Sequence, residues 1–341
     1  MVAQSFASMK VSYRALNKVN PDIFFDTTGC AFTFLVARVL AGCKVAAYVH
    51  YPTISTDMLA LVWDRRPTYN NDSKISSSMI RSYLKMLYYI LFSIAYGFVG
   101  SLATLVMVNS TWTNNHIRYL WRFAKKTDIV YPPCDTQSLE DLSLNGREEV
   151  IISIGQFRPE KDHALQLRAF SILLHSNTSK RFENVRMKLI GSCRGESDKM
   201  RVRQLQKLAK KLDLTDRVEF VLNQPYPVLK KWFGRASIGI HTMWNEHFGI
   251  GVVEMLAAGL VTIAHKSGGP KSDIISPGEN GYLASTAEEY AQIMAVVLEG
   301  GADSRKNIDI RQKARESAKR FSDQIFSDAF EKVFLSSGLL Q

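Results

Sequence analysis

Short β-branched apolar runs alternate along the chain with longer segments whose apolar residues recur every three or four positions. That is the pattern of a parallel α/β sheet with helical crossovers. In the first half, Ile23–Asp26, Val45–Val49, Leu105–Val108 and Asp128–Val130 read as strands, each followed by a turn or a helix start. The stretch "YPPCDTQSLEDLSLNGREE", 131–149, is rich in proline, acids and turn formers and reads as a domain junction. A second series opens at Val150 with "VIISIGQF" and runs through helix 163–175, strand "RMKLIG", helix 198–212, strand "RVEFV", helix 226–233 and strand "SIGIHT". After "NEHFGIGVVEMLAAG" come strand "LVTIAH" and a helix, "STAEEYAQIMAVVL", that opens with two overlapping capping-box spacings, Ser285 to Glu288 and Thr286 to Glu289. The expected fold is α/β: two doubly wound domains, 1–148 and 149–322, facing a cleft at the carboxyl ends of their strands. The first domain opens on a helix-like stretch with no preceding strand, so it is expected to be incomplete at its amino end. The last helix, about 323–341, is expected to pack back on it.

One segment raises a membrane question. Leu87–Val108, "LYYILFSIAYGFVGSLATLVMV", holds 22 residues without a charge, enough to span a bilayer. It contains Gly97 and Gly100 and ends in a β-branched run, so it divides into an apolar helix to about Val99 and a buried strand. Tyr83, Tyr88 and Tyr89, beside Arg81 and Lys85, suit the interfacial zone of a membrane. A membrane-dipping helix, an ordinary buried helix and a true span all stay open. Met1–Lys10 lacks a basic segment followed by an apolar core, so no signal peptide is expected.

The net charge of +11 is concentrated: residues 194–235 carry eleven Lys/Arg against five Asp/Glu. Phosphate-bearing ligands, nucleic acid, an anionic membrane or a solvated helix face would each account for it. Cys30, Cys43, Cys134 and Cys193 are scattered with no CxxC pair, which speaks against structural zinc and a disulfide framework and for a reducing compartment. Asn-x-Ser/Thr triplets begin at Asn71, Asn109 and Asn177 but carry no meaning in a cytosol-facing chain.

The candidate chemistry centres on Glu246 and Glu254, eight apart, with Phe248, Gly249 and Gly251 between them. With a strand before and a helix after, Glu246 falls in the connecting loop and Glu254 about one turn into the helix. Gly249 and Gly251 let the backbone approach a ligand. The first helix amides are unpaired and suit a phosphate, and carboxylates accept paired sugar hydroxyls. The result is a site for polyol–diphosphate–polyol, the shape of a nucleotide sugar. A helix start with an incidental acid pair is the plain alternative. A dinucleotide fingerprint, Gly249-x-Gly251-x-x-Glu254 with Asp273 about twenty residues on, fails because Glu254 takes the place of the small packing residue. In "GQFRPEK", Gly155–Lys161, Arg158 and Lys161 are placed to hold phosphate oxygens, or are solvated surface. "SGGPKSD", Ser267–Asp273, is a third glycine loop, and its glycines would serve either a ligand or only the turn geometry. His50 follows a strand in "YVHYPTIST", where it could bond a reacting sugar or simply be a satisfied loop histidine. No Asp-x-Asp pair occurs, so no metal is expected, and basic groups with helix amides would neutralise a departing diphosphate.

Together, "VHYPTISTDML", "GQFRPEK", "MWNEHFGIGVVE" and "SGGPKSDI" resemble the GDP-mannose-dependent α-1,2-mannosyltransferases of the asparagine-linked glycosylation pathway. These are retaining glycosyltransferases of the GT-B class, two Rossmann-like domains with an E-x7-E signature. The likeness covers nearly the whole chain. It implies transfer of the fourth and fifth mannoses from GDP-mannose to dolichol-diphosphate oligosaccharide on the cytosolic face of the endoplasmic reticulum membrane. Other cytosolic-face mannosyltransferases are implied as partners; nucleic acid and a cofactor are not. Carried over by residue, Glu254 would bind the ribose of GDP and Glu246 would face the mannose. Phe248, Gly249, Ile250 and Gly251 would offer backbone contacts, Lys161 and Arg158 would hold the diphosphate, and His50 would lie near the donor sugar. Many relatives place the arginine directly after the glycine, where Gln156 stands here. The family's amino-terminal membrane anchor and glycine-rich loop are not found, and the alternative expectation is a shortened, non-catalytic chain that binds nucleotide sugar or partner proteins at the membrane.

Overall fold

A computed structural model describes residues 1–63, 79–124, 126–175 and 179–340. The chain forms two compact units, Met1–Tyr131 with Phe326–Gln341, and Pro132–Ile325.

The first unit runs α1 (Val2–Leu16), β1 (Ile23–Asp26), α2 (Phe32–Leu35), β2 (Lys44–Val49), α3 (Thr56–Trp63), α4 (Met79–Gly100), β3 (Leu105–Val108), α5 (Thr111–Leu120) and β4 (Thr127–Ile129). Its four strands pair in parallel in the order β1-β2-β3-β4. Strand side chains alternate between faces. Val45, Ala47, Val49, Val106 and Val108 meet Phe34, Tyr96 and Trp121 on one face. Ala46, Tyr48, Leu105 and Met107 meet Phe326, Phe330 and Phe334 of the last helix, Asp323–Leu335, on the other.

The apolar segment that raised the membrane question is α4 followed by β3. One face of α4 buries Tyr89, Phe92, Tyr96 and Val99, which belong to the unit's core. Gly97 and Gly100 make that packing possible: a Cβ would lie 2.3 Å from Leu120 O at the first and 2.1 Å from the Trp121 ring at the second. The other face is an exposed apolar stripe of Ile80, Tyr83, Leu84, Leu87, Leu91, Ile94 and Phe98. By length and composition α4 could cross a membrane, yet half of its girth is committed to the unit's own core.

Asn109, at the end of β3, is buried and donates from Nδ2 to His50 O at 2.9 Å, so it is no accessible glycan acceptor. Asn71 and Asn177 lie outside the described residues. All four cysteines are free thiols, Cys30 exposed and the other three buried.

The second unit runs α6 (Gln137–Glu140), β5 (Glu148–Ile154), α7 (His163–His175), β6 (Arg186–Gly191), α8 (Glu196–Lys211), β7 (Val218–Leu222), α9 (Tyr226–Arg235), β8 (Ala236–His241), α10 (Ile250–Ala257), β9 (Val261–His265), β10 (Tyr282–Ala284), α11 (Ala287–Glu299) and α12 (Arg305–Ala318). Six parallel strands take the order β10-β9-β8-β5-β6-β7. The order reverses between β5 and β8, and at such a switch point the loops leaving the two central strands diverge and open a crevice. Val202, Leu205 and Ala209 form the buried stripe of α8, and the basic residues of that helix lie on its remaining surface. Of the two capping-box spacings, Thr286 with Glu289 forms the box. Ser285 instead donates its backbone N–H to Glu289 Oε2 at 2.6 Å, because one acid reaches back to both amides.

Candidate active site

The residues singled out in the second unit gather at the carboxyl edge of its sheet, on the loops that leave β5 and β8. Glycines set how closely those loops pack. Gly191, at the end of β6, lies against the loop after β5, where a Cβ would fall 1.8 Å from Gly155 O. Gly239 in β8 lets α10 sit tight on the strand, since a Cβ there would meet Met255 Sδ at 2.4 Å.

Lys161 ends a single 3₁₀ turn, Pro159–Lys161, and Asp162 follows in the left-handed region at φ +43°. Thr242, just past β8, fixes this turn: its hydroxyl donates to Lys161 O at 2.7 Å and accepts from Gln166 Nε2 at 2.8 Å. The turn aims the ammonium of Lys161 at Glu246, with Nζ donating to Oε2 at 2.5 Å. His241 Nε2 lies 3.1 Å from the same oxygen. Burial works to raise the Glu246 carboxyl, but the hydrogen bond and charge of His241, with the Lys161 ammonium, outweigh it and hold the group well below the usual carboxylate range. Glu246 is thus ionised, largely buried and doubly bonded before any ligand arrives.

The third glycine loop serves this one. Gly269 N donates to Glu246 O at 2.8 Å, and Asn245 N donates to Ser267 Oγ at 2.7 Å. Gly268 sits at φ +60°, and a Cβ there would lie 2.2 Å from Glu246 O. The two backbones touch, which no side chain at 268 would allow. Gly268→Ala is therefore expected to cost about 1–3 kcal/mol of stability through strain and displaced backbone. Thermal melting checks this.

Gly249, at φ +113°, is the N-cap of α10. The first intrahelical bond is Val252 N to Gly249 O at 2.9 Å, so the N–H groups of Ile250 and Gly251 precede the helical ladder. The helix starts at Ile250, directly after the loop that ends at Gly249, and Gly251 lies in its first turn. Phe248 is buried against Phe321, ring centroids 5.3 Å apart, so only its backbone can face a ligand. At the far end, Arg147 Nη2 donates to Ala258 O at 2.7 Å and Arg315 Nε to Ala257 O at 3.1 Å, cations set where the helix dipole is negative.

Glu254 differs from Glu246. It is half-buried, yet among the described residues its carboxylate has no hydrogen-bond or ion-pair partner. Burial, then the charge of Asp135, push its pKa up to about 6. A carboxylate removed from water and left unpaired is costly unless something outside the chain supplies donors.

Arg158 is 53% exposed and only 4.0 Å from Glu160, so it is not held toward Glu246. His50 stands in the first unit, at the carboxyl end of β2, its ring edge-on to Tyr48 with centroids 4.7 Å apart. Partial burial lowers its pKa, against the charge of Asp26. The second unit therefore brings together Glu246, Lys161 and the amino end of α10 with Glu254. His241, Thr242 and Gln166 belong to this cluster too, although the sequence reading did not single them out.

Residues 1–121 match the family described as "ALG11 mannosyltransferase N-terminus", and residues 135–319 match "Glycosyl transferases group 1". The GDP-Man:Man(3)GlcNAc(2)-PP-Dol alpha-1,2-mannosyltransferase of Mus musculus is 47% identical over 337 residues, 97% of this chain and 68% of that protein. Its counterpart in Homo sapiens is 46% identical over 344 residues, 99% of this chain and 69% of that protein. Among solved structures, Anabaena Alr3699/HepE in complex with UDP-glucose superposes with a TM-score of 0.71 at 17% identity, covering 95% of this chain and 82% of that one. Sucrose-phosphate synthase from Thermosynechococcus elongatus gives 0.67 at 17%, covering 96% and 76%. At such identity these two show the fold alone, which is GT-B. From its two matched families and its curated relatives, the chain belongs to the family of GDP-Man:Man(3)GlcNAc(2)-PP-Dol alpha-1,2-mannosyltransferases.

Proposed function

We propose that this chain transfers mannose from GDP-mannose, with retention, to a 2-hydroxyl of a dolichol-diphosphate-linked oligosaccharide, adding the fourth and fifth mannoses. The observation that carries the donor site is the contrast between the two glutamates. Glu246 is already anchored by Lys161 and His241, whereas Glu254 is half-buried and waits for donors. A ribose offers two adjacent hydroxyls, which an ionised carboxylate can accept together. In this reading the diphosphate lies over the free amides of Ile250 and Gly251, takes the remaining protons of the Lys161 ammonium and reaches the exposed fork of Arg158. Glu246 faces the mannose. Negative charge grows on the departing diphosphate, so Lys161 and the helix amides supply the main catalytic term, with no metal. The acceptor places the chain at the endoplasmic reticulum membrane, on its cytosolic face, with the exposed stripe of α4 against the bilayer.

The pH dependence follows from Glu254. Its folded pKa is raised, so the carboxyl keeps its proton until the pH passes about 6. A protonated carboxyl loses one of its acceptor roles, and GDP affinity should rise as pH rises through that value and then level off. The sign is opposite for folding: an acid with a raised folded pKa favours the folded state at low pH, and this contribution is lost as pH rises from 4.5 to about 6. Glu254→Gln should flatten the binding profile, and calorimetric titration with GDP across that range checks both statements.

Transfer of radiolabelled mannose from GDP-mannose to detergent-solubilised lipid-linked oligosaccharide tests the whole reading. Labelled product is expected. GDP-mannose binding without transfer would leave the chain as a non-catalytic nucleotide-sugar binder.

A further inference from the structure

We infer that the turn between α5 and β4 is a headgroup-binding site for anionic phospholipid, and that with the α4 stripe it forms the surface by which the first unit docks on a bilayer. The turn carries Arg122 and, past Phe123 and Ala124, Lys126, with the apolar ring of Phe123 between them in the chain. Phe123 is 83% exposed, more than any other large apolar side chain among the described residues.

The turn is built onto the end of α4. The indole of Trp121 fills the gap left by Gly100. Phe123 N donates to Ser101 Oγ at 3.3 Å, and that hydroxyl donates to Gly97 O at 2.7 Å. Phe98 and Ile94, each 65% exposed, lie in the last two turns of α4, the end of the helix to which this turn is fastened. Across Met79–Gly100 there is no acidic residue.

Beside Phe123 opens a cavity of about 450 Å³, lined by Arg118, Trp121, Arg122, Ala124, Lys126 and Thr127, with no acid in its wall. Lys126 pairs with Asp128 at 3.1 Å, and Arg122 lies 5.0 Å over the Tyr119 ring while its Nε donates to Tyr119 O at 3.3 Å. Arg118 is in the last turn of α5, where a cation could serve the helix end. It makes no hydrogen bond or ion pair among the described residues, so its guanidinium is not spent on those carbonyls.

Two arginines around a pocket, with a lysine already paired to Asp128 beside them, call for a phosphate. The large exposed apolar side chains next to them call for hydrocarbon. The interfacial zone of a bilayer with anionic lipid satisfies both. A nucleic acid would neutralise the arginines but leave Phe98, Ile94 and Phe123 in water, which is why the bilayer is preferred.

This inference rests on the reading that the acceptor is lipid-linked, and its test separates the two. The purified full chain is floated with phosphatidylcholine vesicles with or without phosphatidylserine, and the same samples are titrated with GDP and assayed for transfer in detergent. Wild type should float with the phosphatidylserine vesicles and far less with phosphatidylcholine alone. Arg118→Glu with Arg122→Glu should lower that partition roughly tenfold or more, since each basic group near an anionic surface contributes on that scale. Phe123→Ser should lower it as well, without changing the dependence on phosphatidylserine. Both variants should keep wild-type GDP affinity, which also shows that they fold, and inorganic phosphate should not release the chain. Wild-type partition by the double variant, or release by inorganic phosphate, would overturn the headgroup site. Those results with transfer intact would leave the mannosyltransferase reading standing.

Discussion

Alanine in place of Glu254 is expected to weaken GDP binding by roughly 100-fold or more. Two hydroxyl-to-carboxylate hydrogen bonds contribute about 1.5–3 kcal/mol each when the acceptor is charged and shielded from water. Nothing in the folded chain is disrupted by the change, because Glu254 has no partner among the described residues. Its removal even relieves a half-buried acid whose pKa is pushed up to about 6. The variant should therefore melt no lower than wild type while losing the nucleotide, a combination that separates a binding residue from a structural one. Calorimetric titration with GDP is the measurement, and an unchanged affinity would remove Glu254 from the ribose site.

Lys161→Ala is expected to lower kcat by roughly 100- to 1000-fold while changing the dissociation constant for GDP-mannose much less. In the free chain the ammonium already bonds Glu246 at 2.5 Å. Ground-state binding thus adds a diphosphate to a cation that has a partner, a modest gain. As the sugar–phosphate bond breaks, the extra charge falls on oxygens that the ammonium faces, and that interaction grows. Lys161→Arg should recover part of the rate, because it keeps a cation while changing its reach. Steady-state kinetics with labelled donor and solubilised acceptor report the split. An equal loss in binding and turnover would make Lys161 an anchor for the donor with no special role in the transition state.

Much of the strand and helix layout was legible in the sequence, because fully buried parallel strands read as β-branched runs and α4, α7 and α8 carry helical periodicity. The sheet order was not, since the reversal between β5 and β8 depends on contacts between strands far apart in the chain. The placement of Glu246 in a loop and Glu254 in a helix followed from the strand before and the helix after. The first helical residue itself is not encoded by periodicity, because glycines at 249 and 251 add no apolar repeat. In fact φ +113° at Gly249 makes it the cap, and a glycine is tolerated in a first turn.

His241 closes an apolar strand, where a histidine carries little sequence signal of a functional role. Its one available signal was a titratable residue at a strand end only five positions before Glu246. In the sequence the Ser267–Asp273 loop reads equally as turn geometry or as a ligand loop. It meets a third need, bare backbone against the Glu246 loop, which no local pattern encodes. Helix α12 was not read at all. Its segment is dense in charge, and its Arg311 is fully buried, bonded to Asp303 at 2.9 Å and to Ala302 O at 2.7 Å, the reverse of what an arginine suggests in a sequence.

The most direct measurement is a crystal structure of the chain with GDP bound. The expected result has both ribose hydroxyls within about 2.6–3.2 Å of the Glu254 carboxylate, with Lys161 Nζ and the Ile250 and Gly251 amides on the diphosphate. GDP bound elsewhere, or in this pocket with its ribose turned away from Glu254, would contradict the account.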